Sequence, residues 1–303
     1  MNYTVSVVMI TYGHEKYIEE AINGVFMQQT DFPVELIIAN DCSPDQTDEV
    51  VKSLLSRAPE NITVRYTRHH TNKGMNANFL WAASQATGKY IALCEGDDYW
   101  IDPMKLQKQI EFLDAHPDYA LSSGYSISID AHGKILNTPV INSEVKYFSY
   151  GIKDILQSSK FETATILFRN NPRLTFPDWF YSFGSDVDSL VLWILKDGGK
   201  VHLLNEILSI YRYHPGGATK QDNHQQKLHY YTTMLDLFDG STNYRYTKEI
   251  KLKKEKVRAL LSMHILPYWE RVLYIVKQTP FFIINRKNNV IPLTWYLRYF
   301  LPK

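Results

Sequence analysis

An α/β fold with a central, mostly parallel sheet covered by helices is predicted by three observations on this 303-residue chain. Short β-branched apolar runs recur within residues 1–100 without polar alternation, as strands buried on both faces require. Stretches with apolar residues at helical spacing separate them, so strand and helix alternate four times. Polar and acidic segments stand where the strands end, the edge at which open α/β sheets place ligand chemistry.

In chain order, residues 5–10 (Val-Ser-Val-Val-Met-Ile) form the first expected strand, and Ile18, Ala21, Ile22, Val25 and Phe26 mark a helix. Residues 35–39 form a second strand, and Val50, Val51, Leu54 and Leu55 a second helix. Residues 62–66 form a third strand, residues 76–86 a helix stopped by Gly88, and residues 90–93 a fourth strand. Asp102-Pro103 supplies an N-cap and a first-turn proline for a helix that carries Leu106, Ile110 and Leu113 inward. The rhythm then changes. Residues 119–129 read as a strand, 130–133 as a hairpin turn, 140–150 as an irregular polar excursion and 163–168 as a strand. A helix carrying Val187, Leu190, Val191 and Ile194 is closed by Gly198-Gly199. Two short strands follow at 200–204 and 207–213, and from about Asp222 the pattern is helical.

A hydrophobic content of 45% and a charged content of 21% suit a globular chain with a substantial core. The net charge of +1 is unevenly spread. Residues 248–303 hold twelve Lys or Arg against three Asp or Glu, a net +9, so residues 1–247 carry −8. An acidic core excludes nucleic-acid binding there, whereas the basic, aromatic tail suits an anionic surface, a helical cap or a dimer contact. Cys42 and Cys94 end two strands that would flank a third, ~9–10 Å apart by sheet spacing, too far for a disulfide. Reduced thiols, no basic leader and no apolar stretch of membrane-spanning length together predict a cytoplasmic protein.

No Gly-x-Gly-x-x-Gly or Walker A pattern occurs, so phosphates are not cradled by a glycine loop. Three acidic features mark strand-to-helix handovers instead: Asp41, Glu95-Gly96-Asp97-Asp98 and Asp186. Carboxylates this close repel, and a divalent cation would relieve them, with an acidic turn in solvent as the alternative. Asp41 can accept the imide N–H of uracil or the edge N–H groups of guanine, or cap a turn. Asp97 and Asp98 can divide a ribose hydroxyl and a metal between them. His69, His70, His224 and His229 lack ligand spacing and are expected at the surface. Trp100 fits either an acceptor pocket or the core.

Together these segments resemble the GT-A fold glycosyltransferases of family 2 over residues 4–217. Residues 7–18, Val-Val-Met-Ile-Thr-Tyr-Gly-His-Glu-Lys-Tyr-Ile, match the family's opening strand and loop. Asn40-Asp41-Cys42-Ser43-Pro44-Asp45-Gln46-Thr47 stands for its Asp-Asp-Gly-Ser-x-Asp-x-Thr, and Glu95-Gly96-Asp97-Asp98 for its Asp-x-Asp-Asp. Asn72-Lys73-Gly74, Ala86-Thr87-Gly88-Lys89-Tyr90-Ile91, Gly184-Ser185-Asp186 and Tyr211-Arg212-Tyr213-His214 match later pieces. Asn40, Glu95 and Ser185 depart from the pattern.

The resemblance implies a GT-A, Rossmann-like nucleotide-diphospho-sugar transferase with a C-terminal helical extension. Residues 1–100 would bind the nucleotide sugar, 101–220 the acceptor, and 221–303 would form the extension. It implies an inverting enzyme with a UDP- or GDP-sugar donor, a Mn2+ or Mg2+ cofactor and a saccharide or polyprenyl-linked acceptor. Asp186 would be the general base, with Asp188 its rival. Thr11, Tyr12, Asp41, Lys73 and Asp97 would bind nucleotide, and Asp98 and His214 the metal. A sugar-nucleotide nucleotidyltransferase and a catalytically silent binding subunit are the competing readings. Peripheral contact with the inner face of the membrane would suit a lipid-linked acceptor.

Overall fold

Four parallel strands and a mixed second half share one sheet. The computed structural model describes residues 3–157, 161–171, 174–184, 187–217 and 224–265. Asp186 and the tail beyond residue 265 therefore lie outside the described residues. In chain order the first half comprises β1 (Val5–Thr11), α1 (Ile18–Phe26), β2 (Val34–Asn40), α2 (Thr47–Leu54), β3 (Ile62–Arg68), α3 (Met75–Ser84) and β4 (Tyr90–Leu93). The second half comprises β5 (Tyr99–Trp100), α4 (Lys105–Ala115), β6 (Tyr119–Asp130), β7 (Ile135–Asn137), β8 (Tyr147–Tyr150), α5 (Ile152–Gln157) and β9 (Leu167–Arg169). It continues through α6 (Phe180–Phe183), α7 (Val187–Leu195), β10 (Lys200–Tyr213), α8 (His224–Ser241) and α9 (Thr247–Ile265).

The strand order is β3-β2-β1-β4-β9-β6-β10-β5. β1 pairs in parallel with both β2 and β4, so their C-terminal ends meet at the point where the winding reverses. β9 inserts antiparallel between β4 and β6, and β10 runs parallel to β6. Alternate residues of β1 feed two cores. Val8 packs with Ile37, Leu93, Leu80 and Val191 on one face. Val5, Val7 and Met9 pack with α1, α2 and α4 on the other. That two-sided burial is why the early strands carry continuous apolar runs. Close packing also selects Gly24, since a Cβ there would sit 2.8 Å from the Trp100 amide nitrogen.

Several expectations need correction beyond β4. Residues 163–165 form a 3-10 turn whose Ala164 and Thr165 carbonyls accept from Trp100 and Gln109 side chains, and only Leu167–Arg169 pair as a strand. Residues 147–150 of the expected excursion pair with β10 as β8. The two expected strands at 200–213 are one strand, β10, with register shifts between Leu203 and Ile207 and between Ile207 and Ser209. The helix after Asp102 starts at Lys105, because Asp102 Oδ1 accepts the Met104 N–H in a turn that precedes it. Cys42 and Cys94 follow β2 and β4, which flank β1 as expected, and both are free thiols. Trp100 belongs to the core, its Nε1 donating to the Ala164 carbonyl at 2.6 Å. No helix of the described residues is long and apolar enough to cross a membrane.

Lys105, the first residue of α4, is fully buried beneath this region. Its Nζ donates to Gln109 Oε1 at 2.9 Å and lies 4.1 Å from the Trp100 ring centroid. Gln109 in turn donates to the Thr165 carbonyl, so the lysine braces α4 against the 3-10 turn. Burial lowers its pKa to about 7, with Cys94 and Asp102 offsetting only part of that effect. A cation at a helix N-terminus is also disfavoured by the helix dipole. Between about 7 and the ordinary 10.5, the unfolded chain binds more protons than the folded one, so stability rises with pH across that window. Lys105→Met should therefore remove a rise of up to about 1.4 kcal/mol per pH unit, read from denaturant midpoints of both proteins at pH 7, 8 and 9. Parallel pH curves for the two proteins would count against it.

Candidate active site

The turn after β4 is built against the end of β1. Cys94 N–H donates to the Val8 carbonyl and Gly96 N–H to that of Ile10. A Cβ at Gly96 would lie 2.7 Å from Thr11 Oγ1, which explains the glycine inside an acidic run. The chain then enters β5, which pairs antiparallel with β10 and brings Asp97 and Asp98 to the end of that strand. Arg212 closes the arrangement. Its backbone N–H donates to Asp98 Oδ1 at 2.9 Å and its Nε to the Asp97 carbonyl at 3.1 Å. Its Nη2 pairs with Glu20 at 2.6 Å, and its guanidinium lies 4.7 Å and 5.5 Å from the rings of Tyr17 and Tyr99.

Asp97 Oδ2 accepts a hydrogen bond from His214 Nε2 at 2.9 Å and lies 3.8 Å from His14 Nε2. The three residues can each offer a ligand atom, all within 4.8 Å of one another. The resemblance gives Asp98 and His214 to the metal and Asp97 to the nucleotide; in the structure the carboxylate that joins His214 is that of Asp97. His14 was missed altogether, although Tyr12-Gly13-His14 directly after β1 placed it at the right edge. Asp98 is 1% exposed, with Oδ1 held by Arg212 and Oδ2 buried without a partner among the described residues.

The three carboxyls do not share charge equally. Burial pushes Glu95 up to about 8, with Asp97 adding to the effect. Burial, then the charges of Asp97 and Glu95, raise Asp98 well above the carboxylate range, against the opposing Arg212 N–H. Burial also opposes ionisation of Asp97, but the His214 hydrogen bond and the charges of His14 and His214 outweigh it and hold its pKa low. Burial lowers the His14 pKa, which favours the neutral imidazole that ligates metals. His14 Nδ1 is buried without a partner among the described residues. Negative charge is thus concentrated on the carboxylate between two imidazoles. This N,N,O donor set is one that can hold a divalent cation.

The residues expected to bind nucleotide lie around the ends of β1 and β2. Thr11 is buried and Tyr12 is 49% exposed. Both oxygens of Asp41 accept backbone N–H groups, from Lys73 at 2.7 Å and Gly74 at 2.9 Å, so Asp41 anchors the loop before α3. Lys73 is exposed. The segment after β2 staples the first loop: Ser43 Oγ accepts from Gly13 N–H, Thr47 Oγ1 from His14 N–H and Asp45 Oδ2 from Glu15 N–H. Asn40, in place of an acid, accepts from Ser43 N–H and donates to Tyr66. Cys42 adopts φ 61°, the left-handed conformation that suits the glycine of the motif it replaces.

His69, expected at the surface, is buried because Asn78 Oδ1 bonds its ring and Trp81 packs edge-on against it. Burial raises the pKa of Tyr213 and of Asp98, and the charge of half-buried Glu162 adds to both. Sequence reasoning gave it no role. Asp188, the rival base, is buried and bonded to Tyr231.

A mixed sheet of order β3-β2-β1-β4-β9-β6-β10-β5 with a His/Asp set at its switch point is the arrangement of the GT-A class of transferase fold. The chain belongs to glycosyl transferase family 2, whose model matches residues 6–180. An uncharacterized protein of Mycobacterium tuberculosis is 34% identical over 223 residues, covering 70% of this chain. The chain spans 59% of that relative's length. The putative teichuronic acid biosynthesis glycosyltransferase TuaG of Bacillus subtilis is 32% identical over 123 residues, covering 41% of this chain and 47% of TuaG. Among solved structures, Staphylococcus aureus TarS in complex with UDP-GlcNAc superposes with a TM-score of 0.58 at 16% identity, over 92% of this chain and 86% of that one. The mannosyltransferase PcManGT of Pyrobaculum calidifontis, in complex with GDP-Man and Mn2+, gives 0.58 at 15% identity, over 99% and 79%. These two share the fold.

The Arg212 side chain holds the acidic turn through the Asp97 carbonyl, so its loss should act through Asp97. Arg212→Lys keeps the charge but loses the planar fork. Mn2+ affinity, read by calorimetric titration, should fall ~10–100-fold, the usual penalty for losing a group that orients a ligand. Unchanged affinity in a folded variant would contradict this role.

Proposed function

We propose that this chain transfers a sugar, with inversion, from a UDP- or GDP-linked donor to a hydroxyl of a saccharide or polyprenyl-linked acceptor during surface polysaccharide synthesis. The observation that carries the reading is Asp97 between His14 and His214 at the switch point of the sheet. Family membership supports the chemistry, and the donors bound by TarS and PcManGT support the donor class. The putative assignment of TuaG to teichuronic acid biosynthesis supports the polysaccharide setting.

In this reading Asp97, His214 and His14 hold the divalent cation. When bound, the cation offsets the charge that develops on the departing nucleoside diphosphate. Tyr12 stacks on the base, and Thr11 lines the same end of β1. Asp41 keeps a free lone pair on each oxygen for a base N–H while anchoring the loop that carries Lys73 towards the diphosphate. Asp98, the expected metal ligand, serves instead to hold the Arg212 amide. Asp186 takes the proton from the acceptor hydroxyl, and the engagement of Asp188 with Tyr231 favours Asp186 over its rival.

Calorimetric titration of UDP and GDP with and without Mn2+ tests the reading. One nucleotide should bind only with metal, and Asp97→Ala and His214→Ala should each lose that binding. Asp186→Ala should keep it while transfer falls ~10²–10⁴-fold. Metal-independent binding, or full activity in Asp186→Ala, would refute the corresponding assignment.

A further inference from the structure

Asp188 occupies the first turn of α7, where an acid normally faces solvent and complements the helix dipole. Here it is 2% exposed and points to the C-terminal helices. Its Oδ2 accepts a hydrogen bond from the Tyr231 hydroxyl of α8 and lies 3.8 Å from Lys253 Nζ of α9. Lys253 is also buried, lies 5.6 Å from the Tyr231 ring centroid, and donates to the Ile155 carbonyl of α5 at 3.5 Å. Three helices therefore converge on one carboxylate, two residues after Asp186 in the sequence. Phe238, Met234 and Leu235 of α8 and Ile250 of α9 join the same core as Leu190 and Val191 of α7.

Desolvating two opposite charges costs about what their attraction returns, so an apolar pair would serve stability as well. What the ionic contact adds is direction. Apolar packing lets a helix slide by fractions of an ångström, whereas a hydrogen-bonded carboxylate fixes rotation and height together. A general base two residues before Asp188 in the sequence would need that restraint, because a misplacement of about 1 Å can lower turnover ~10²-fold.

We propose that Lys253 and Tyr231 are positioning residues: through Asp188 they fix the first turn of α7, which makes α8 and α9 part of the catalytic unit. The catalytic consequence rests on the reading of Asp186 as base. The structural consequence does not.

Hydrogen exchange on the full-length protein separates the two. In Lys253→Met, amide exchange within residues 187–191 should rise at least ~10-fold, with β1 and β4 unchanged and Mn2+-dependent UDP or GDP binding kept. Hydrolysis of UDP-N-acetylglucosamine or GDP-mannose should lose ~10–100-fold in kcat with little change in KM. Lys253→Arg should restore both, and Asp188→Asn should reproduce the exchange result. Exchange that rises uniformly, or not at all, would overturn the proposal. Local exchange with unchanged kcat would overturn its catalytic half. Activity retained in Asp186→Ala would sink the base assignment while leaving the exchange result to stand.

Discussion

Three carboxyl groups within four residues make the turn after β4 electrostatically unfavourable, and the hold of Arg212 on that turn makes it possible. One residue supplies a backbone N–H to Asp98, a guanidinium N–H to the Asp97 carbonyl and a counter-charge for Glu20. The aromatic rings of Tyr17 and Tyr99 flank the guanidinium, so the grip comes from a rigid wall. Because Arg212 belongs to β10, two residues before His214, the same strand end delivers a histidine to the carboxylate it steadies. The acidic turn, the sheet edge and the histidine are thus one mechanical unit.

Around that unit the site is assembled from loops that are fastened rather than free. The first loop is tied to Ser43, Asp45 and Thr47, and the loop before α3 is tied to Asp41. Residues that look in sequence like ligand contacts therefore spend much of their bonding capacity on backbone. The same fastening explains why Cys42 is tolerated where the family pattern has glycine: the flanking bonds hold the left-handed turn against its strain.

The first half of the fold was legible because its strands are buried on both faces and its helices on one. Their boundaries ran a residue or so longer than read wherever a polar residue such as Thr11 or Asn40 is itself buried. The second half was less legible. Short antiparallel pieces such as β8 and β9 carry no periodicity of their own and exist because β10 and β4 offer them an edge. The acidic stretch and His214 were readable as chemistry. Which carboxylate meets the histidine was not, since their partnership spans 117 residues and depends on the direction in which one turn exits β4. His14 carried no spacing signal, and Lys253 reaches Asp188 only through the docking of the C-terminal helices.

In the proposed function Asp97 and two imidazoles form one cation site. Pulsed electron paramagnetic resonance of the Mn2+-loaded protein tests it most directly, because directly bound imidazole nitrogen leaves a resolved ¹⁴N coupling. Couplings from two imidazoles are expected, with one lost in His14→Ala and one in His214→Ala. Mn2+ bound stoichiometrically with no imidazole coupling would contradict it.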